Sequence, residues 1–335
     1  MAYDKVVDSA SLDSKLTQVA DAIRTKGNTS ADLQFPSGFI SAIQAIQTGT
    51  ELQIIVSVTS GATVTATKGS KVVSGTSVNG TCTLVVPEAG TWTVKATLGG
   101  QTSDTVSVSV KDSYSLTLNF LSDNFANNSW ASIIAACHSG SVPSTWVVGN
   151  SKTMTINGTS YQVDIIGKNH DTYTAGGKAP LTFQLHDCYA DTKAMNGSST
   201  NSGGWKNSAM RTTHLPAILA LMPTEVQNGI REVSKLTSAG KNSSTINTTA
   251  DKLFLLSEVE IFGSTTYSAA GEGTQYDYYK AGNSKVKKRN GSEAHWWERS
   301  PSASYSTSFC LVYRNGNTSS DGASYANGVA FGFCF

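Results

Sequence analysis

The sequence predicts an α+β protein of several domains, and three observations predict it. Only the first 48 residues carry a sustained helical period of apolar residues. Residues 51–111 alternate apolar and polar between closely spaced turns, and residues 113–335 mix both patterns without a βαβ repeat. The 335 residues include 25 Lys+Arg and 24 Asp+Glu, only 15% charged in all, against about a quarter in ordinary globular chains. Gly, Ser, Thr and Asn fill the difference, which points to many strands and turns under a polar, uncharged surface. At roughly 150 residues per domain the length predicts two or three domains. A net charge of +1 argues against an electrostatic nucleic-acid binder. No run approaches about 18 apolar residues, so no membrane insertion is expected, and the start, MAYDKVVDSASLDSK, lacks the apolar core of a secretory signal.

The first 48 residues predict two short helices. Ser9 or Ser11 caps the first, Leu12, Leu16, Val19 and Ile23 form its apolar stripe, and Gly27-Asn28 ends it. The second follows Pro36, with Phe39, Ile40, Ile43 and Ile46 on one face. Two such helices bury little on their own, since units below about 40 residues usually need a partner. A hairpin packed on its own chain and self-association through a short a/d-like stripe are the two outcomes, with self-association favoured.

Residues 51–111 predict an all-β sandwich. Alternation runs through Leu52–Val56, Thr63–Ala66 and Thr91–Ala96, with turns at Gly61, Lys68-Gly69, Asn79-Gly80, Glu88-Ala89-Gly90 and Gly99-Gly100. Without a cluster of acids or histidines, the expected role is that of a spacer.

In residues 113–335 the alternating Tyr114–Phe120 predicts a lead-in strand and Trp130–Cys137 a short helix. Lys152–Ile166 predicts a hairpin around Asn157-Gly158, a strong short-range turn signal. Leu215–Val226 and Val226–Leu236 are expected to be helical, Lys252–Phe262 a buried strand or helix edge, and the remainder short strands with Gly-rich turns.

Candidate chemistry is sparse. His170-Asp171 and His186-Asp187 are adjacent pairs, while His138, His214 and His295 stand alone; none has the spacing of a metal site, so each is expected to be structural. There is no GxSxG and no phosphate loop. Lys285, Lys287, Lys288 and Arg289 predict a solvated loop, with an anion or surface-polymer contact as the alternative. Glu258 with Glu260, and Asp187 with Asp191, are too few for calcium. Asp164, Asp171, Asp187, Glu225, Glu258, Glu260, Glu272 and Glu298 offer carboxylates for glycoside hydrolysis, but only proximity would select a pair. The five Cys at 82, 137, 188, 310 and 334 show no CxxC and predict reduced, buried thiols. No catalytic residue, metal or cofactor is expected.

The last 40 residues are the informative ones. Between Ser302 and Asn327, 16 of 26 residues are Ser, Thr, Tyr, Asn or Asp, bracketed by Trp296-Trp297 and by the apolar Gly328–Phe335. In FCLVY, Cys310 and Val312 share one strand face, and Phe309, Leu311 and Tyr313 the other. With Cys310 and Val312 inward, Leu311 and Tyr313 are held outward. Tyr with Ser, Asn and Gly is the composition of adaptable binding surfaces, where Tyr supplies contact area at small entropy cost.

The blocks NSGGWKNSAMRTTHLPAILALMP, DKLFLLSEVEIFG, AGEGTQYDYYKAGNSKVKK, WWERSP and GVAFGFCF resemble a family of phage and prophage proteins carrying the domain of unknown function 6273, over roughly residues 129–335. That resemblance implies a C-type-lectin-like fold and a likeness to the variable proteins of diversity-generating retroelements, whose last coding stretch is rewritten at adenines. Phe331 departs from the Pro expected in that family's ending. AIRTKGNTSADLQFPSGFISAI resembles the N-terminal segment of tail-associated proteins of phages of Gram-positive hosts, and GTCTLVVPEAGTWTVKATLGGQTSDTVSV resembles small immunoglobulin-like or carboxypeptidase-regulatory-like modules.

The resemblances imply a helical virion-attachment and oligomerisation segment over 1–48, an Ig-like spacer over 51–111 and a lectin-like ligand-binding domain over 113–335, variable at about 300–327. They imply fifteen ligand-facing residues: Ser302, Ser304, Tyr305, Thr307, Ser308, Leu311, Tyr313, Arg314, Asn315, Asn317, Ser319, Ser320, Asp321, Ser324 and Tyr325. Trp296, Trp297, Phe333 and Phe335 are implied to be core. The implied protein is a homotrimer of the phage tail tip or fibre that joins a tail or baseplate protein to a host cell-surface protein or glycan. The alternatives are an enzyme of lectin-like fold (formylglycine-generating, with Cys310 and Cys334, or a surface-glycan hydrolase) and a purely structural tail protein.

Overall fold

A computed structural model describes residues 9–27, 30–45 and 51–335, with mixed α and β structure dominated by small sheets. Two compact units divide the chain: residues 1–94 with 107–117, and residues 95–106 with 118–335. Among the described residues no helix is long and apolar enough to cross a membrane.

In the first unit, helices Ser9–Gly27 and Ser37–Ala45 pack through buried Ala20, Ile23 and Phe39, with Leu16, Leu33 and Ala42 around them. The expected stripe is corrected here. Leu16, Ala20 and Ile23, spaced four and three apart, face the second helix, and this leaves Leu12 (45%) and Val19 (48%) exposed. On the second helix Phe39 alone of the expected face is buried, while Ile40 and Ile43 are exposed; Ile46 lies outside the described residues. The alternating segments do form strands. Gln53–Ser57 pairs antiparallel with Thr81–Val85, placing Ile54 beside Leu84 and Val56 beside Cys82, all buried. The stretch expected to lead into the C-terminal domain instead completes this sheet, with Ser113–Thr117 parallel to Gln53–Ser57.

The second unit is built on a five-stranded sheet in the order Leu253–Phe254, Gly332–Cys334, Leu181–Leu185, Thr159–Lys168, Ser151–Ile156. Asn157 (φ 47°) and Gly158 (φ 78°) make the expected tight turn, because that turn needs positive φ at both positions. Phe333 stacks on Phe183 at 5.3 Å between ring centroids, and both are fully buried. Helix Trp130–Ser139 is capped by Ser129, whose side chain accepts from the Ser132 N–H. The expected helix over Val226–Leu236 is corrected to a short helix, Thr224–Gly229, followed by strand Val233–Ser238. This strand buries Lys235 and Thr237 alongside Val233, so its inward positions do not read as apolar in the sequence. Lys252–Phe262 divides into strand Leu253–Phe254 and helix Glu258–Phe262, which opens with a capping box of Ser257 and Glu260. A second sheet, Trp296–Pro301, Ser308–Val312 and Thr318–Gly322, carries the polar strip.

Candidate functional site

The strip starts from a strand with no exposed residue. All six side chains of Trp296–Pro301 are buried, including Glu298, Arg299 and Ser300. The indole N–H groups of Trp296 and Trp297 donate to the Lys285 and Lys193 carbonyls at 2.9 and 2.8 Å. Arg299 pairs with Glu260, with Nη2–Oε1 at 2.8 Å, and its remaining donors reach the carbonyls of Leu236, Leu255 and Glu272. Lys235 joins Glu260 (2.9 Å) to Asp171 (2.7 Å) and donates to the Tyr276 hydroxyl.

These partners decide the ionisation of each acid. Burial alone would raise Asp171, but the Lys235 ammonium and its hydrogen bond hold the carboxyl down at about 2. Glu260 is likewise held below its ordinary value, against burial, by Arg299 and Lys235. The Glu272 carboxylate has no cation at hydrogen-bond distance among the described residues, and burial pushes it up to about 7 although Ser300 and the Ser238 N–H bond to it. Glu298, whose two oxygens have no hydrogen-bond partner among the described residues, is pushed well above the carboxylate range by burial and then by Glu258 and Glu272.

Nine of the fifteen expected residues are exposed, and they form two groups at opposite ends of the sheet. Loop 302–307 joins the first two strands and turn 313–317 joins the last two, so one strand length separates them, roughly 17 Å for five residues. At the first end Ser304, Tyr305, Thr307, Ser324 and Tyr325 are exposed, Tyr305 at 60% and Tyr325 at 63%. The Ala323 N–H donates to the Thr307 carbonyl and Ser324 Oγ meets Ser199 Oγ at 2.7 Å, which brings these residues together. At the other end Tyr313, Arg314, Asn315 and Asn317 are exposed, with the His295 ring edge-on to Tyr313 at 4.1 Å and Arg314 over its face at 5.8 Å. Ser308, Ser319, Ser320 and Asp321 lie between the two ends, half-buried.

Two expected positions are corrected. Leu311 is 2% exposed, because this middle strand is covered on both faces and Phe309, Cys310, Leu311 and Val312 are all buried. Ser302 is 1% exposed, and its Oγ accepts from the Ser304 and Tyr305 N–H groups. Trp296, Trp297, Phe333 and Phe335 are fully buried, as expected of core.

Two residues that sequence reasoning missed belong to this end. Asn201 is fully buried and reaches the loop carbonyls, and Ser199 touches Ser324. Asn201 opens NSGG, which reads as an ordinary turn, so no compositional signal singles it out.

The other candidates resolve as follows. The His186 Nδ1 lies 2.6 Å from Asp164 Oδ2, and this hydrogen bond raises the imidazole's pKa. His138 Nε2 bonds the Gly229 carbonyl at 2.9 Å and His170 stacks on Tyr276. In the basic run expected to be solvated, Lys287 is in fact buried and donates to the Leu185 and His186 carbonyls at 2.7 Å, with burial lowering its pKa to about 8. All five thiols are free and buried, and burial raises Cys310 and Cys334 well above the ordinary thiol value. Among the described residues no group of three or more His, Cys, Asp or Glu could hold a metal ion.

Residues 181–334 match the family model "Domain of unknown function (DUF6273)", a span that contains this sheet, its strip and Asn201. No curated protein matches the chain. Among solved structures it is similar to a DUF4876 family protein from Bacteroides thetaiotaomicron VPI-5482, at 9% identity over 78% of this chain and 66% of that one, just under two thirds of its length. The TM-score is 0.16, so this likeness carries no argument about fold or function.

Proposed function

We propose that this is a phage host-attachment protein whose C-terminal domain, of C-type-lectin-like fold, binds a host-surface ligand through a surface diversified by a retroelement. One observation carries the reading. Directly after a strand with no exposed residue, Tyr305, Tyr313 and Tyr325 stand 60%, 36% and 63% exposed among Ser, Thr and Asn on short loops. Large aromatic contact area presented to solvent at the ends of a rigid sheet is the physical form of a recognition surface. The narrowed ligand-facing set is the exposed part of the strip, without Leu311 and Ser302.

Sequencing the 3′ end of the gene across a population of the source phage or prophage tests this. Substitutions confined to codons 302–325 and matched to adenines of a nearby template copy are expected. A constant 3′ end without a template overturns the diversified reading.

In the same reading, residues 51–111 are an Ig-like spacer and residues 1–48 dock the protein in the virion and trimerise it. The exposed Leu12 and Val19, seven residues apart on the first helix, support self-association, because that spacing returns to one face. Trimers multiply a weak single-site affinity through effective concentration. Light scattering is expected to show a trimer that is lost on deleting residues 1–48, and a monodisperse full-length monomer overturns it. Against a formylglycine-generating type of enzyme stand Cys310 and Cys334, both 0% exposed, since the thiolate is the reactive form and burial disfavours it.

A further inference from the structure

Loop 302–308 is held by one side chain from outside the strip. Asn201 is fully buried, and its Nδ2 donates to the carbonyl oxygens of Ser302 (3.1 Å), Tyr305 (3.0 Å) and Ser308 (2.9 Å). An amide nitrogen carries two hydrogens, so three carbonyls share them. The Asn201 N–H donates to the Ser306 carbonyl at 2.8 Å, and its Oδ1 accepts from the Lys241 N–H at 2.7 Å. Each of these partners is a main-chain atom. Two more main-chain bonds close the loop, from the Ala303 N–H to Tyr267 and from the Ser302 N–H to Ser308. The side chains of Ser304, Tyr305 and Ser306 meanwhile stand exposed. The space behind Asn201 is equally fixed: a Cβ on Gly240, whose φ is +75°, would lie 1.8 Å from the Asn201 carbonyl oxygen.

We propose that Asn201 is the positioning residue of the recognition surface, fixing the path of loop 302–308 through main-chain atoms so that its exposed side chains can be exchanged without moving it. The loop's own side chains add buried Ser302, whose Oγ accepts from the Ser304 and Tyr305 N–H groups. A loop held by its exposed side chains would change shape with each substitution, whereas one held by carbonyl oxygens and a buried serine keeps its path for any exposed residue that tolerates the same φ and ψ. Ser199, which meets Ser324, then belongs to the constant rim of the same surface. The purpose assigned to the clamp rests on the host-attachment reading, but the clamp itself does not.

The test is residue-resolved amide hydrogen exchange on the full chain. Asn201→Asp keeps size and the acceptor for Lys241, but removes both donated hydrogens and sets a carboxylate against three carbonyls. Expected is a gain of at least about tenfold in exchange at Ser304, Tyr305 and Ser308, with Phe333 unchanged. A triple variant, Ser304→Ala with Tyr305→Ala and Thr307→Ala, is expected to leave those amides as protected as in the parent. Unchanged loop protection in Asn201→Asp overturns the proposal, as does an equal rise at Phe333, which would mark a general structural role. A triple variant whose loop loosens also overturns it, and decides the matter alone should Asn201→Asp fail to fold. Binding to whole host cells separates the two readings: a triple variant that binds undiminished with its loop intact defeats the recognition reading and leaves the clamp standing.

Discussion

Strand Trp296–Pro301 and the residues that follow it invert the usual relation between polarity and depth. The strand buries Glu298, Arg299 and Ser300 completely, whereas Tyr305 and Tyr325, with far more apolar surface, stand 60% and 63% exposed. For Arg299 the difference lies in its partners, whereas Glu298, whose oxygens find none among the described residues, is pushed by burial well above the carboxylate range. Arg299 meets a carboxylate and three carbonyls, so its burial is compensated. The exposed tyrosines have no covering element among the described residues, and on the host-attachment reading proposed above theirs is the area offered to a ligand.

The contrast is broken most severely at its inner side. Arg299→Met leaves Glu260 buried with Lys235 as its remaining cation, and removal of one partner from a buried pair costs about 3–5 kcal/mol. Urea unfolding of the second unit should show that loss, and a loss below about 1 kcal/mol would mean that Lys235 alone suffices. Leu311→Ala comes next. Because this residue is covered on its strand rather than presented, truncation should cost about 3 kcal/mol. A near-neutral result would return Leu311 to the ligand-facing set.

The next effect comes from Glu272, and it depends on pH. Its carboxyl is raised to about 7 in the fold, against about 4.3 when unfolded, so the folded state holds the extra proton. Its contribution to stability is therefore fully present below about pH 4.3 and is lost as pH rises through 7, by at most roughly 4 kcal/mol. Asp171, held at about 2, acts in a separate window, stabilising above about pH 4 and failing as pH falls toward 2. Denaturation at pH 4.5 and pH 7.5 should show Glu272→Gln losing less stability across the interval than the parent. Parallel pH profiles for the two proteins would remove Glu272 from the account.

How much of this was legible depended on whether the deciding interaction was local. The Asn157-Gly158 turn is local, and so is the alternation of Gln53–Ser57; both stand as the sequence implies. Trp296 and Trp297 announce a core by size alone. Strand Val233–Ser238 escaped because its inward Lys235 is stabilised by Asp171 and Glu260, 64 and 25 residues away in sequence. Leu311 escaped because alternation assigns one face to solvent, and only the packing shows both faces of its strand covered. Asn201 lies about a hundred residues from the carbonyls it holds, so nothing near it in the chain points to its role.

The mildest change sharpens the comparison most. Tyr305→Ala with Tyr325→Ala removes two large rings from solvent-facing positions and should shift unfolding by no more than about 0.5 kcal/mol. The same pair should abolish or strongly weaken binding to host cells, because aromatic anchors carry a disproportionate share of interface energy. Tyr313→Ala provides the internal control, since Tyr313 lies at the other end of the sheet beside His295 and Arg314. If the single change weakens binding as much as the pair does, the ligand spans both ends and must be large. If only the pair matters, recognition is confined to the end that Asn201 holds. A destabilisation of several kcal/mol from the pair would instead make these tyrosines part of the scaffold, and the inversion of polarity and depth would lose its functional meaning.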